Sequence, residues 1–265
     1  MENATNFSKV LNFGKVQLRK ISNLFQSSVD VVFKLWKSFF DFLWNLPCLC
    51  ISIVKRFMIY LESNGIYHIY NHANGDENLF RNDENYAYFL KRYAHFIHPI
   101  AKTYAYCLMP NHFHVLVKIR SKEEIVATFP KFETLEKLTE LEELTFDKFI
   151  SKQFSNLFSS YTQSFNKVFK RKGSLFIKNF KRKPIKSDSY FISTLQYIHR
   201  NPVHHGFCTN IEDWNWSSYH SLISQKSTLL EKKEIMDWFG TKEHFAEAHK
   251  LSDKNYVELS QDDFY

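Results

Sequence analysis

Between residues 65 and 205 the chain switches repeatedly between a two-residue and a helical spacing of apolar positions. Gly65–Asn71 is a run of β-formers bounded by glycine and asparagine, which predicts a strand. Tyr86, Phe89, Leu90, Tyr93 and Phe96/Ile97 then recur at helical spacing. That helix is predicted to start at a cap on Asp83 or Asn85 and to run to about His98, with Pro99 just beyond. Lys102–Leu108 predicts a second strand, Met109–Asn111 a turn, and His112–Ile119 a third strand that completes a hairpin. Phe154, Leu157, Phe158, Tyr161, Phe165 and Phe169 line one side of a helix over Ser151–Lys170. A further helix is predicted from Asp188 or Ser189 to about Arg200, stopped by Pro202.

Three stretches depart from this regularity. Residues 1–57 read as an N-terminal extension, and Met58 is the more natural start of the regular part. Within the extension, Ser38–Val54 is apolar apart from Asp41, yet Pro47 interrupts it and it falls short of the roughly 20 residues a spanning helix needs. A membrane role is therefore not expected. Residues 121–150 carry eight Asp/Glu against four Lys, and are read as an acidic insertion or solvated helical region turned away from any polyanion. Residues 226–265 read as a polar helical tail, leaving 58–225 as the main domain.

Composition narrows the class without deciding it. The chain has 265 residues, 44% apolar and 24% charged, an ordinary globular balance. A net charge of +7 points to a polyanionic partner. Most of that charge sits in one place. Lys167, Lys170, Arg171, Lys172, Lys178, Lys181, Arg182, Lys183 and Lys186 contain no acid among them and are interleaved by Phe169, Phe176 and Phe180. Cations with aromatic interleaving favour a phosphate-binding surface over a merely solvated face, with Lys172, Lys178, Lys181, Arg182, Lys183 and Lys186 as the DNA-contacting candidates. The cysteines Cys48, Cys50, Cys107 and Cys208 have no CxxC spacing, so a reducing cytoplasm is expected.

The chemistry begins at Asn111-His-Phe-His-Val-Leu-Val117. Strand alternation puts His112 and His114 on one face and Phe113 on the other, in the core. Two imidazoles on one face make half of a metal site. With 12 histidines in the chain, composition alone yields about 0.5 such pairs by chance, so the pair needs company. The helix before Pro202 supplies it. Tyr197 and Asn201 are four apart and share a helical face. An amide oxygen is a hard ligand suited to Mg²⁺ or Mn²⁺, and a tyrosine one turn away is a nucleophile for a phosphodiester. Tyr161 and Tyr190 are the rival tyrosines.

Pro110-Asn-His-Phe-His114, Tyr197-Ile-His-Arg-Asn-Pro-Val203 and Glu212-Asp-Trp-Asn-Trp-Ser-Ser-Tyr219, in this order, resemble the single-tyrosine HUH transposases. More narrowly they resemble the REP-associated tyrosine transposases, relatives of the insertion-sequence-200 type. The resemblance covers roughly 58–225 and implies an α+β, ferredoxin-like domain, an antiparallel sheet with helices on one face and the tyrosine-bearing helix beside the metal strand. It implies that His112, His114 and Asn201 hold a divalent metal and that Tyr197 cleaves single-stranded DNA at a hairpin, keeping the 5′ end and freeing a 3′-OH. Whether such an enzyme works as a homodimer stays open.

Other readings compete. A domesticated relative would bind hairpin DNA with little or no turnover. A replication initiator or relaxase would use the same HUH chemistry but fits the Glu-Asp-Trp tail less well. An RNA-binding ferredoxin-like module would leave the two histidines idle. Surface or packing roles are expected for His199, His204 and His205, packing of the tail for Trp214 and Trp216, and a turn for Gly173.

Overall fold

In the computed structural model, residues 59–128 and 143–250 are described. Four strands, β1 (Ile66–His72), β2 (Ala101–Met109), β3 (His112–Ile119) and β4 (Lys181–Pro184), form one antiparallel sheet in the order β2-β3-β1-β4. Helix α1 (Asp83–Phe96) connects β1 to β2, and α2 (Lys122–Thr128) and α3 (Glu143–Val168) lie between β3 and β4. Each crossover steps over one antiparallel neighbour, which is the split βαβ, ferredoxin-like connectivity expected from the sequence. Four more helices follow: α4 (Asp188–His204), α5 (Tyr219–Ile223), α6 (Lys232–Phe239) and α7 (Lys242–Lys250).

The five central residues of β1 are all buried because both sheet faces are covered. On one face Tyr67, Ile69, Phe113, Val115 and Val117 pack with Phe89 and Tyr93 of α1 and Phe154, Leu157 and Tyr161 of α3. On the other, Cys107, Met109 and Leu116 pack with Leu195 and Ile198 of α4. The crossover helices therefore share one face, as expected, while the tyrosine-bearing helix lies across the opposite face against β2 and β3.

Several expectations change in detail. Asn82, not Asp83 or Asn85, caps α1 by accepting the Asn85 N–H. Helix α4 does not stop at Pro202. It runs two residues past the proline, to His204, one turn beyond the expected end at Arg200, and Gly206 (φ +71°) ends it. The N–H of Phe207 reaches the carbonyl of Pro202, and that of Gly206 reaches Val203, the paired bonds of a left-handed helix stop.

The acidic segment is no single insertion either. Ile125 of α2 is fully buried, and α3 already begins at Glu143, with Phe146 and Ile150 in the core. Residues 129–142 lie outside the described residues, as do 1–58. Nor does the domain end at 225. Ile235 of α6 and Phe245 of α7 are fully buried against α4 and its neighbours, so the tail is core-forming at least to Lys250. Strand β4 has no counterpart in the apolar pattern, since Lys-Arg-Lys-Pro carries none. As an edge strand paired only to β1, it needs no apolar alternation.

Candidate active site

The β1–β3 register sets the site. His72 stands opposite His112 and Tyr70 opposite His114, so alternation places His68, Tyr70 and His72 on the same face as the HUH histidines. Across this face lies α4. The Tyr197 ring is edge-on to His114 at 5.7 Å and to His68 at 5.9 Å. The structure thus brings together His112, His114, Tyr197 and Asn201, four residues from a strand and a helix more than eighty positions apart. Tyr161 belongs to the opposite core, and Tyr190 lies in the first turn of α4.

Both histidines of the pair have a neighbour at Nδ1. His112 Nδ1 is 2.7 Å from Asn111 Oδ1, and His114 Nδ1 is 2.9 Å from His68 Nε2. Both HUH rings therefore engage Nδ1 with a neighbour, and a neutral ring that donates from Nδ1 keeps its lone pair on Nε2. Burial, with His72 and His205 close by, pushes His112 down to about 2. Burial and the neighbouring imidazoles hold His114 well below the ordinary range. His68 is lowered to about 3 by burial and by Lys183. Neutral imidazoles are what a cation needs.

Asn201 is fully buried, and neither Oδ1 nor Nδ2 has a hydrogen-bond partner. It sits close enough to His112 to favour that ring's protonated form, yet short of hydrogen-bond geometry. An orphaned buried amide costs about 1–3 kcal/mol, so it calls for a ligand. Two neutral imidazoles and this amide fit a divalent ion with open positions. Among the described residues no three His, Cys, Asp or Glu converge as a ligand set by themselves.

Around this centre sit two histidines of β1 that the sequence reading passed over, and His205, for which it expected only a surface or packing role. His72 stacks on His112 with ring centroids 4.4 Å apart, and its buried Nε2 is unpartnered. His205, the exposed cap of α4, meets His112 edge-on at 5.0 Å. His68 and His72 did carry a signal: His68-Ile-Tyr-Asn-His72 repeats the i, i+2 spacing of polar rings, but only the register shows that it faces the other pair.

The basic segment divides. Strand alternation sends Lys181 and Lys183 to the site face, opposite Tyr70 and His68. Lys183 Nζ lies 5.5 Å from the Tyr70 ring centre. Arg182 turns to the other face, where its guanidinium bonds Asp147 at 2.7 Å and stacks over Phe180. It anchors β4 to α3, with its charge engaged by Asp147. Lys172, Lys178 and Lys186 are exposed on the flanking segments.

His199 is fully buried and packs rather than facing the site. It bonds His249 at 2.8 Å and Ser218 Oγ at 2.7 Å. Trp214 and Trp216 pack the region after α4 as expected, donating from Nε1 to the carbonyl of Leu108 and to Asp83. Gly173 has φ +90° and makes the expected turn. Among the described residues no helix is long and apolar enough to cross a membrane, and Ser38–Val54 lies outside them.

No protein-family model matches the chain. A curated protein of Haemophilus influenzae (strain Rd), named as a REP-associated tyrosine transposase, is 25% identical over 121 residues, 45% of this chain and 59% of that one. The match thus spans under two thirds of that relative's length. A solved REP-associated tyrosine transposase bound to a REP hairpin is 16% identical, with a TM-score of 0.45, covering 64% of this chain and 85% of that one.

Proposed function

We propose, from the resemblance of this chain to the REP-associated tyrosine transposases, that it cleaves and rejoins single-stranded DNA beside a hairpin through a covalent link to Tyr197. The observation that carries this reading is the unpartnered, fully buried amide of Asn201 one helical turn from Tyr197 and beside His112. A buried structural asparagine is ordinarily satisfied, so an open amide at this position supports a ligand role.

Divalent Mg²⁺ or Mn²⁺ held by His112, His114 and Asn201 would polarise the scissile phosphate and stabilise charge on its oxygens. The chain's own residues do the rest. Asn111 and His68 fix the two imidazole rings through Nδ1. Lys181 and Lys183 supply positive charge along the edge of the same face, where a DNA backbone would run. The Tyr197 oxygen attacks phosphorus as the P–O3′ bond breaks. The proton of the tyrosine hydroxyl is given up to the departing 3′ oxygen, which leaves as a 3′-OH, and the 5′ phosphate stays on tyrosine. Because the phosphodiester energy is retained, attack by a 3′-OH reverses the step and joins strands.

A second reading rests on burial: Tyr197 is only 3% exposed. A protein that binds hairpin DNA without turnover would keep its tyrosine packed in this way. Incubation with hairpin-bearing oligonucleotides and Mn²⁺, followed by denaturing electrophoresis, separates the two. A covalent adduct in the wild type that is lost in Tyr197→Phe is the expected outcome. Adduct surviving in that variant removes Tyr197 as nucleophile, and wild type giving none on any hairpin favours binding alone.

A further inference from the structure

Among the described residues, five buried side-chain N or O atoms have no hydrogen-bond partner, and three of them lie on Asn201 and His72. Both residues adjoin His112. The Asn201 amide is accounted for by the proposed cation; Nε2 of His72 is not. Buried polar atoms are rarely left open, so an open one beside a reaction centre marks a place for a ligand atom. His72 does not converge with His112 and His114 as a metal-ligand set, which leaves the substrate as its partner.

Position supports that partner. The five central residues of β1 are buried, whereas His72 at its end is only half-buried. The site face therefore opens towards solvent at this end, where the exposed His205 meets His112 from the other side. A phosphodiester approaching the centre from solvent passes His72. The residue is also fixed in advance. Its ring stacks on His112 at 4.4 Å with planes 12° apart. Its backbone N–H donates to Asn71 Oδ1 and its carbonyl accepts from the Ile177 N–H, each at 2.9 Å. A donor held this way needs no reorganisation to stabilise charge as it develops.

The chemistry of the ring decides which atom it meets. A neutral imidazole offers one N–H and one lone pair. The non-bridging oxygens of a phosphodiester are acceptors only, so they select the tautomer that carries its proton on Nε2. No change of charge on the ring is involved.

We propose that His72 is a catalytic residue whose Nε2–H donates to a non-bridging oxygen of the phosphate attacked by Tyr197, on the β1 side of the centre. The proposal rests on the DNA-cleaving reading above, and one arm of its test needs no turnover. The first arm is single-turnover adduct formation on a hairpin-bearing oligonucleotide at saturating DNA and Mn²⁺. It compares the full-length wild type with His72→Phe, His72→Asn and His72→Gln. Phenylalanine keeps the stack on His112, asparagine stays polar but places its amide near the Nδ1 position, and glutamine carries a donor out to that of Nε2.

The rate should fall about 100-fold in His72→Phe and His72→Asn, the range for one lost donor of this kind, and recover in good part in His72→Gln. Hairpin affinity without metal and the Mn²⁺ concentration for half-maximal rate should match the wild type. In the second arm, inorganic phosphate is titrated into the Mn²⁺-loaded protein without DNA and followed by melting temperature. Phosphate should bind the wild type and His72→Gln about tenfold more tightly than the other two variants. An unchanged adduct rate in either His72→Phe or His72→Asn, whichever melts like the wild type, overturns the proposal. So does a lost rate that higher Mn²⁺ restores, because His72 would then only support His112. If the wild type forms no adduct on any hairpin, the cleavage reading falls and the phosphate arm decides alone. Weaker phosphate binding in His72→Phe and His72→Asn then upholds the contact, and equal binding overturns it.

Discussion

His68 Nε2 lies 2.9 Å from His114 Nδ1, so a histidine of β1 orients the second imidazole of the HUH pair. The contact fixes the ring, and with Nδ1 as the donor it leaves the Nε2 lone pair of His114 open to the proposed cation. Partners of this kind typically contribute ten- to a hundredfold to metal affinity. His68→Ala is therefore expected to raise the Mn²⁺ concentration needed for half-maximal adduct formation by about tenfold or more, with adduct recovered at saturating metal. Unchanged metal dependence would reduce His68 to a packing residue.

Asn201 offers a test in which stability and function part company. Its buried, unpartnered amide costs the metal-free fold about 1–3 kcal/mol. Asn201→Leu, close in size, should raise the metal-free melting temperature by a few degrees. Mn²⁺ should raise the melting temperature of the wild type, and the same change should abolish that rise. A fall in stability without metal would show that the amide has a partner in solution.

The alternation of β4 predicts opposite phenotypes for adjacent residues. Lys181→Ala and Lys183→Ala should each weaken hairpin binding and reduce the slope of log affinity against log salt by up to about one. Arg182→Ala should leave that slope alone and destabilise the fold by about 1–3 kcal/mol, because the charged bond to Asp147 is lost. Binding titrations at several salt concentrations, with urea unfolding alongside, check both halves.

A buried histidine chain ties α7 to the tyrosine helix and makes stability depend on pH. His249 Nδ1 faces the carbonyl of Phe245 at 2.7 Å and must donate, so its Nε2 accepts from His199, whose Nε2 in turn accepts from Ser218. Burial lowers His249 to about 4, the Phe245 carbonyl opposing and the Arg200 charge adding to that shift. The unfolded chain takes up this proton near pH 6.5, and the folded one only near 4. The His249 contribution is thus complete above pH 6.5 and falls as pH drops to about 4, by up to about 3 kcal/mol. Urea unfolding between pH 7 and pH 4 should show a shallower pH slope in His249→Gln than in the wild type. Equal slopes would remove His249 as a source of the acid sensitivity.

What the sequence by itself determined was local. The spacing of apolar residues placed three of the four strands and the three longer helices, because each period is a property of contiguous backbone. Alternation put His112 and His114 on one face, and a four-residue step put Tyr197 and Asn201 on another. What only the tertiary structure decided was pairing. Register with β1 brought His68, Tyr70 and His72 beside the HUH pair, and nothing within either strand specifies that register. Pairing also made a strand of Lys181–Pro184 and split its charges between an ion pair and the site face. Packing kept α4 helical through Pro202 until Gly206 could close it, and drew Ile235 and Phe245 of an apparently polar tail into the core. Covalent neighbours set periodicity; partners distant in sequence set register, burial and the company each functional side chain keeps.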